Sequence, residues 1–207
     1  AVRDLQRMID EMQNIEQQWR ETPLAARNRE LLKRWKYQVK RLQKGKLCAD
    51  AALLDEWLIR RCLQFYATVA QFLLRIVAPS ATGAMLPLPV EVSMVFSALP
   101  EYYLEDLADL LLFVIQYAPQ VLGDSSIQDL ATVLVVFTCS SNYLRNPYLI
   151  AKFIEVMFVV NPTVQRNTEK LNDMMLLHPL AVDHLVPALM NFYTDVETTG
   201  SSNEFYD

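Results

Sequence analysis

Apolar residues recur along this chain at intervals of three and four, while strict alternation is almost absent, so the pattern predicts an all-α protein. Near the start, Leu5, Met8, Ile9, Met12, Ile15 and Trp19 fall on one stripe of a helix. Thr22 before Pro23 reads as an N-cap and first helical position, where the missing N–H of proline costs nothing. They open a second helix that carries Leu24, Leu31, Leu32, Trp35, Val39 and Leu42 on one side and is expected to stop near Gly45. A third helix is predicted over residues 50–77. Its apolar row is Leu54, Leu58, Cys62, Phe65, Val69, Leu73 and Ile76; its polar row includes Glu56, Arg60, Gln64, Gln71 and Arg75. Glu56 stands four residues before Arg60, the order that favours an ion pair.

Residues 78–89 hold Pro79, Gly83, Pro87 and Pro89 and cannot continue a helix. Shorter helices are predicted beyond them, over residues 90–98, 100–117, 126–139, 147–160, 162–177 and 182–198. Ser125 with Gln128 fits a capping box, and Asn146 before Pro147 and Asn161 before Pro162 each fit an N-cap followed by proline. The expected organisation is a stretch of long charged or amphipathic helices (1–77), a Pro-rich loop (78–89) and a helical core (90–207). Short helices that are apolar nearly all round suit an armadillo-like superhelix of stacked hairpins, in which inner helices are covered on two sides. A compact helical bundle is the alternative.

With 207 residues, 52% of them hydrophobic, and only four glycines, the chain can bury a large core, which excludes disorder for most of it. The most apolar runs (107–118, 130–139 and 149–160) are interrupted by Asp109, Gln116, Lys152 or Glu155 and fall short of the roughly 20 residues needed to cross a bilayer. Cys48, Cys62 and Cys139 are too widely spaced for a metal knuckle, and their odd number argues against a disulfide framework. The chain opens at Ala1 with no signal-peptide pattern. A cytoplasmic and nuclear location is expected.

The net charge of −5 conceals an asymmetry: residues 1–77 hold 15 Lys and Arg against 9 Asp and Glu, and residues 78–207 hold 4 against 15. Residues 20–46 alone carry ten basic side chains and two acidic ones. Within them Arg29, Lys33, Lys36, Lys40 and Arg41 are the candidate partner-binding residues. A basic helix that also bears Trp35 and Tyr37 can receive an acidic protein, nucleic acid or an anionic membrane. The competing reading is a solvated outer face opposite the apolar stripe, with the acidic second half as counter-field. That reading ranks first and an acidic protein partner second; neither nucleic acid nor a membrane is expected.

Candidate chemistry is sparse. His178 and His184 are six residues apart, on different faces of any helix, with no cysteine near either. Cys139 ends an apolar run and reads as a buried inert thiol, with a transferase nucleophile as the weaker alternative. Glu105, Asp106 and Asp109, like Asp195 and Glu197, fit solvated faces. There is no glycine-rich phosphate loop, nucleophile elbow or zinc signature. No catalytic, cofactor-binding or metal-ligating residue is assigned, and an interaction module remains.

The stretches NYLRNPYLIAK (142–152), EVMFVVNPTVQ (155–165) and HPLAVDHLVPALMNFYTDVETTGSSNEFYD (178–207) closely resemble the core of the U-box ubiquitin conjugation factors, the ubiquitin chain-elongation family. LLDEWLIRRCLQFYATV (53–69) and MVFSALPEYYLEDLADLLLFVIQYAP (94–119) are similar to the same core. Residues 1–47 share only helicity and charge with it. The resemblance implies an armadillo-like scaffold, monomeric and without cofactor, that in the family precedes a C-terminal U-box. It also implies the family's partners: a ubiquitin-conjugating enzyme recruited by the U-box, substrates already carrying ubiquitin, an AAA-type segregase and proteasome shuttle proteins. Residue 207 falls before the rest of that core and the U-box, so no enzyme-recruiting residue transfers to any position here, and the segment is expected to be non-catalytic.

Overall fold

The computed structural model of the chain describes residues 2–78, 88–123, 127–144 and 146–200. Among them every regular element is helical, as the periodicity predicts. Contacts divide the chain into two units, Ala1–Asp55 and Glu56–Asp207.

The first unit contains α1 (Val2–Asn14), the single turn α2 (Glu16–Trp19) and the long α3 (Ala25–Leu53). Helix α1 packs on α3. The buried residues are Ile9, Trp19, Leu32 and Val39, with Leu5, Met12 and Trp35 half-buried around them. The Trp19 indole N–H donates to the Met12 carbonyl at 3.0 Å, which ties the connection to α1. Thr22 does not cap α3. Its hydroxyl donates to the Trp19 carbonyl at 2.7 Å and closes the preceding turn, and no side chain caps α3.

Helix α3 also does not stop at Gly45. It continues to Leu53, and nothing lies within 4 Å of the place a Cβ on Gly45 would occupy. A mid-helix glycine costs about 1 kcal/mol, which the strong helix formers Lys44, Lys46, Leu47, Ala49 and Ala51 outweigh. The break comes at Leu54, whose N–H still bonds the Asp50 carbonyl at 2.9 Å.

In the second unit α4 (Glu56–Val77) buries Ile59, Leu63, Ala67, Ala70, Leu73 and Val77. The predicted row is displaced by about one position: Leu54, Leu58 and Phe65 are exposed and Cys62 is half-buried, while Leu73 belongs to the core as expected. Both rows satisfy helical spacing. The observed one includes the small residues Ala67 and Ala70, which permit neighbouring helices to approach closely, and α7 is the principal neighbour. The predicted ion pair forms, with Arg60 Nη2 2.8 Å from Glu56 Oε1.

Next come α5 (Met94–Ser97), α6 (Tyr102–Tyr117), a 3₁₀ turn (Pro119–Gly123), α7 (Ile127–Thr138), a second 3₁₀ turn (Ser141–Tyr143), α8 (Pro147–Val159), α9 (Glu169–Leu176) and α10 (Pro179–Gly200). Helix α7 contacts α4, α8, α9 and α10. Every residue from Val133 to Thr138 is correspondingly buried, so this half of α7 is covered on all sides, while Gln128 near its start is exposed. Phe96 stacks on Phe137 with ring centroids 5.3 Å apart, and Tyr143 meets Phe96 edge-on at the same distance. The Tyr143 hydroxyl donates to the Pro89 carbonyl at 3.1 Å.

The two Asn-Pro signals end differently. Asn146 caps α8, its side-chain oxygen accepting from the Tyr148 N–H at 3.0 Å with Pro147 in the first turn. Asn161 Oδ1 accepts from both the N–H and the hydroxyl of Thr163, at 2.9 and 2.8 Å, and closes only a turn. Asn167 then takes the left-handed conformation (φ 64°), and helix begins only at Glu169. The helix expected over 162–177 is therefore α9 alone, and the one expected over 90–98 is the single turn α5. Ser125 of the predicted capping box and most of the predicted loop, residues 79–87, lie outside the described residues. Helix α10 begins earlier than expected and runs through Pro187.

Candidate functional site

All five predicted partner-binding residues, Arg29, Lys33, Lys36, Lys40 and Arg41, sit on α3 and are exposed. Arg29, Lys33, Lys36 and Lys40 are spaced by four, three and four residues, so they share one face of the helix. Arg41 lies beside this row. The buried Leu32 and Val39 hold the adjoining flank of α3, about a quarter turn from the row, against α1 and so fix which way the row points. Within this unit the described ion pairs are Arg7 with Glu11 at 3.7 Å and Lys46 with Asp50 at 4.0 Å, and neither involves the row.

The cysteines and histidines do not converge. Cys48 is exposed on α3, while burial pushes the Cys139 thiol up to about 11, far from the thiolate that nucleophilic chemistry needs. His178 Nδ1 accepts from the Leu180 N–H at 3.3 Å, which puts the ring proton on Nε2, 3.4 Å from the Thr132 hydroxyl. Burial lowers the pKa of this ring and favours the neutral form. Among the described residues, no three His, Cys, Asp or Glu side chains are grouped to hold a metal ion, and no helix is long and apolar enough to cross a membrane.

The carboxylates of α6 have a task that their spacing alone did not reveal. Lys152 of α8 reaches Glu105 Oε1 at 3.0 Å and Asp109 Oδ1 at 2.9 Å, and Asn146 Nδ2 donates to Glu101 Oε2 at 3.0 Å. These contacts form a polar seam along the packed pair α6 and α8. The Asp109 carboxylate holds the Lys152 ammonium above its usual range, and burial opposes this only in part. Asp106 faces the other way and, after burial itself, helps raise the Tyr66 hydroxyl pKa. The signal for the seam was Lys152 as the lone cation of α8, a helix whose one other charge is Glu155, since a largely covered cation needs carboxylates within reach. Beside the seam a cavity of about 210 Å³ is lined by apolar residues such as Leu73, Phe96 and Leu149, together with Glu101, Asn142 and Tyr143.

An all-helical protein, with one charged helical unit and one apolar-cored unit seamed by ion pairs, is the class that these features define. The chain matches the ubiquitin elongating factor core over residues 1–207 and belongs to that family. It is 35% identical over 163 residues to a protein of Arabidopsis thaliana named "Probable ubiquitin conjugation factor E4", covering 78% of this chain and 15% of that protein. It is 32% identical over 165 residues to "Ubiquitin conjugation factor E4" of Schizosaccharomyces pombe, covering 77% and 16%. It is 26% identical over 180 residues to "Ubiquitin conjugation factor E4 A" of Bos taurus, covering 81% and 17%. The chain thus spans about a sixth of the length of these relatives. No solved structure matches it. The family match takes in residues 1–47, where sequence resemblance stopped at helicity and charge.

Proposed function

We propose that this chain is a scaffold segment, armadillo-like in its stacking, of a U-box ubiquitin chain-elongation factor. The whole protein extends ubiquitin chains on substrates that already carry ubiquitin and directs them to proteasomal degradation. The segment contributes no catalytic group of its own. The observation that carries this reading is the family match across residues 1–207. The half-buried Cys139 thiol, which its surroundings keep protonated, fits it, because in this chemistry the acyl group is already activated as a thioester on the conjugating enzyme and the acceptor is an amine of ubiquitin. What the factor adds is proximity and orientation, which require reach and stiffness. The seam of Glu105, Asp109 and Lys152 and the all-round burial of the second half of α7 supply that stiffness. The proposed partners are a conjugating enzyme held by the U-box, ubiquitinated substrates, an AAA-type segregase and proteasome shuttle proteins, in cytoplasm and nucleus.

The test is reconstitution with activating enzyme, conjugating enzyme, ubiquitin and a substrate fused to one ubiquitin. The full-length factor should lengthen chains and residues 1–207 alone should not. Chain growth by residues 1–207 alone, or none by the full-length factor, refutes the reading.

A further inference from the structure

The outer face of α3 carries charge that its own unit leaves unneutralised. Arg29, Lys33, Lys36, Lys40 and Lys44 form one row about 22 Å long at 1.5 Å per residue, flanked by Arg34 and Arg41. All seven are exposed, and within residues 2–55 no described carboxylate forms an ion pair with any of them. Like charges four residues apart destabilise a free helix, so an anionic surface laid along this row gains at every position. The row is not purely ionic. Tyr37, 69% exposed, borders it four residues after Lys33, and Leu47, 68% exposed, continues it three residues after Lys44.

We infer that this face of α3 binds a short acidic segment of a partner protein, its carboxylates along the lysine row and its apolar side chains against Tyr37 and Leu47. Two observations select that occupant. The flank of α3 that could enter a bilayer, Leu32 and Val39, is already buried in the first unit. A nucleic acid also gains nothing from the exposed aliphatic Leu47, whereas an amphipathic peptide buries it. The face can serve in this way whether or not the whole protein elongates ubiquitin chains.

Fluorescence anisotropy on residues 1–207 tests this with four probes: a labelled peptide of about 15 residues interleaving Glu with Leu, its Gln-for-Glu counterpart, a single-stranded oligonucleotide of equal charge, and phosphatidylserine vesicles. The acidic peptide should bind at low salt, more tightly than the other three, and weaken as salt rises. The triple variant Lys33→Glu, Lys36→Glu, Lys40→Glu should weaken it at least about tenfold, and Tyr37→Ala with Leu47→Ala should weaken it measurably. These positions are exposed and the replacements are good helix formers, so unchanged circular dichroism should accompany both variants; Lys→Gln at the same three positions repeats the test without charge reversal. No binding of the acidic peptide, equal binding by the charge variants, an unchanged Kd for the apolar double variant, or tighter binding of oligonucleotide or vesicles would overturn the inference.

Discussion

Helix α4 offers two leucines, five residues apart, for which sequence periodicity and packing make opposite forecasts. Leu58 belongs to the row that periodicity marks as buried, yet it is 41% exposed; Leu63 lies off that row and is 1% exposed. Truncating Leu63 to alanine removes buried aliphatic carbon worth about 0.8 kcal/mol per methylene. It also leaves a cavity between helices that are close-packed and cannot collapse fully, so the total is about 3 kcal/mol. Leu58→Ala creates no enclosed cavity, because solvent fills the space, and should cost less than about 1 kcal/mol. The helix propensity change is the same in both and cancels. Urea titration followed by circular dichroism reads the difference directly. In a thermal scan about 3 kcal/mol corresponds to a fall of roughly 6–12 °C for a chain of this size. A Leu58→Ala cost equal to or above that of Leu63→Ala would refute the assignment of the buried face and return α4 to the sequence-derived row.

The remaining predictions are independent of that one. Gly45→Ala should raise the stability of α3 by about 0.5–1 kcal/mol, since the glycine is helical and open space surrounds it; destabilisation in hydrogen exchange or melting would mean that Gly45 ends the helix after all. Iodoacetamide near neutral pH, read by peptide mass spectrometry, should label exposed Cys48 at least about tenfold faster than Cys139, whose thiol is pushed up to about 11; similar rates would show that Cys139 is accessible and ionised. For His178 the folded pKa lies below the ordinary value of 6.5, so the unfolded chain takes up the proton first. Its contribution is therefore present above about 6.5 and is lost as pH falls through the lowered folded value. The drop in Tm between about pH 7.5 and pH 5.5 should shrink in His178→Gln, and an identical drop would exclude the ring as its source.

The seam between α6 and α8 bears on how a helical scaffold stays rigid. Lys152 is mostly covered and shared by two carboxylates one helical turn apart on α6. Removing one carboxylate still leaves the ammonium a partner, whereas an isolated exposed pair adds little to stability. The same two helices are joined at one end by Asn146, which caps α8 with its oxygen and reaches Glu101 with its nitrogen. A sequence-local capping signal is thereby coupled to a contact 45 residues away.

What the sequence determined by itself about this protein is what depends on neighbours within one helical turn. That includes the all-α class, the cap at Asn146, the Glu56 and Arg60 pair and the all-round apolar character of the second half of α7, because each follows from side chains three or four residues apart. The exposed basic row of α3 was legible for the same reason. Packing decided the rest. It chose between two apolar rows on α4 and brought Lys152 to Glu105 and Asp109 across 47 and 43 residues of chain. Neither of these is visible at short range, because the energy that selects among locally equivalent conformations comes from surface buried against distant segments, and that surface exists only once the chain has folded.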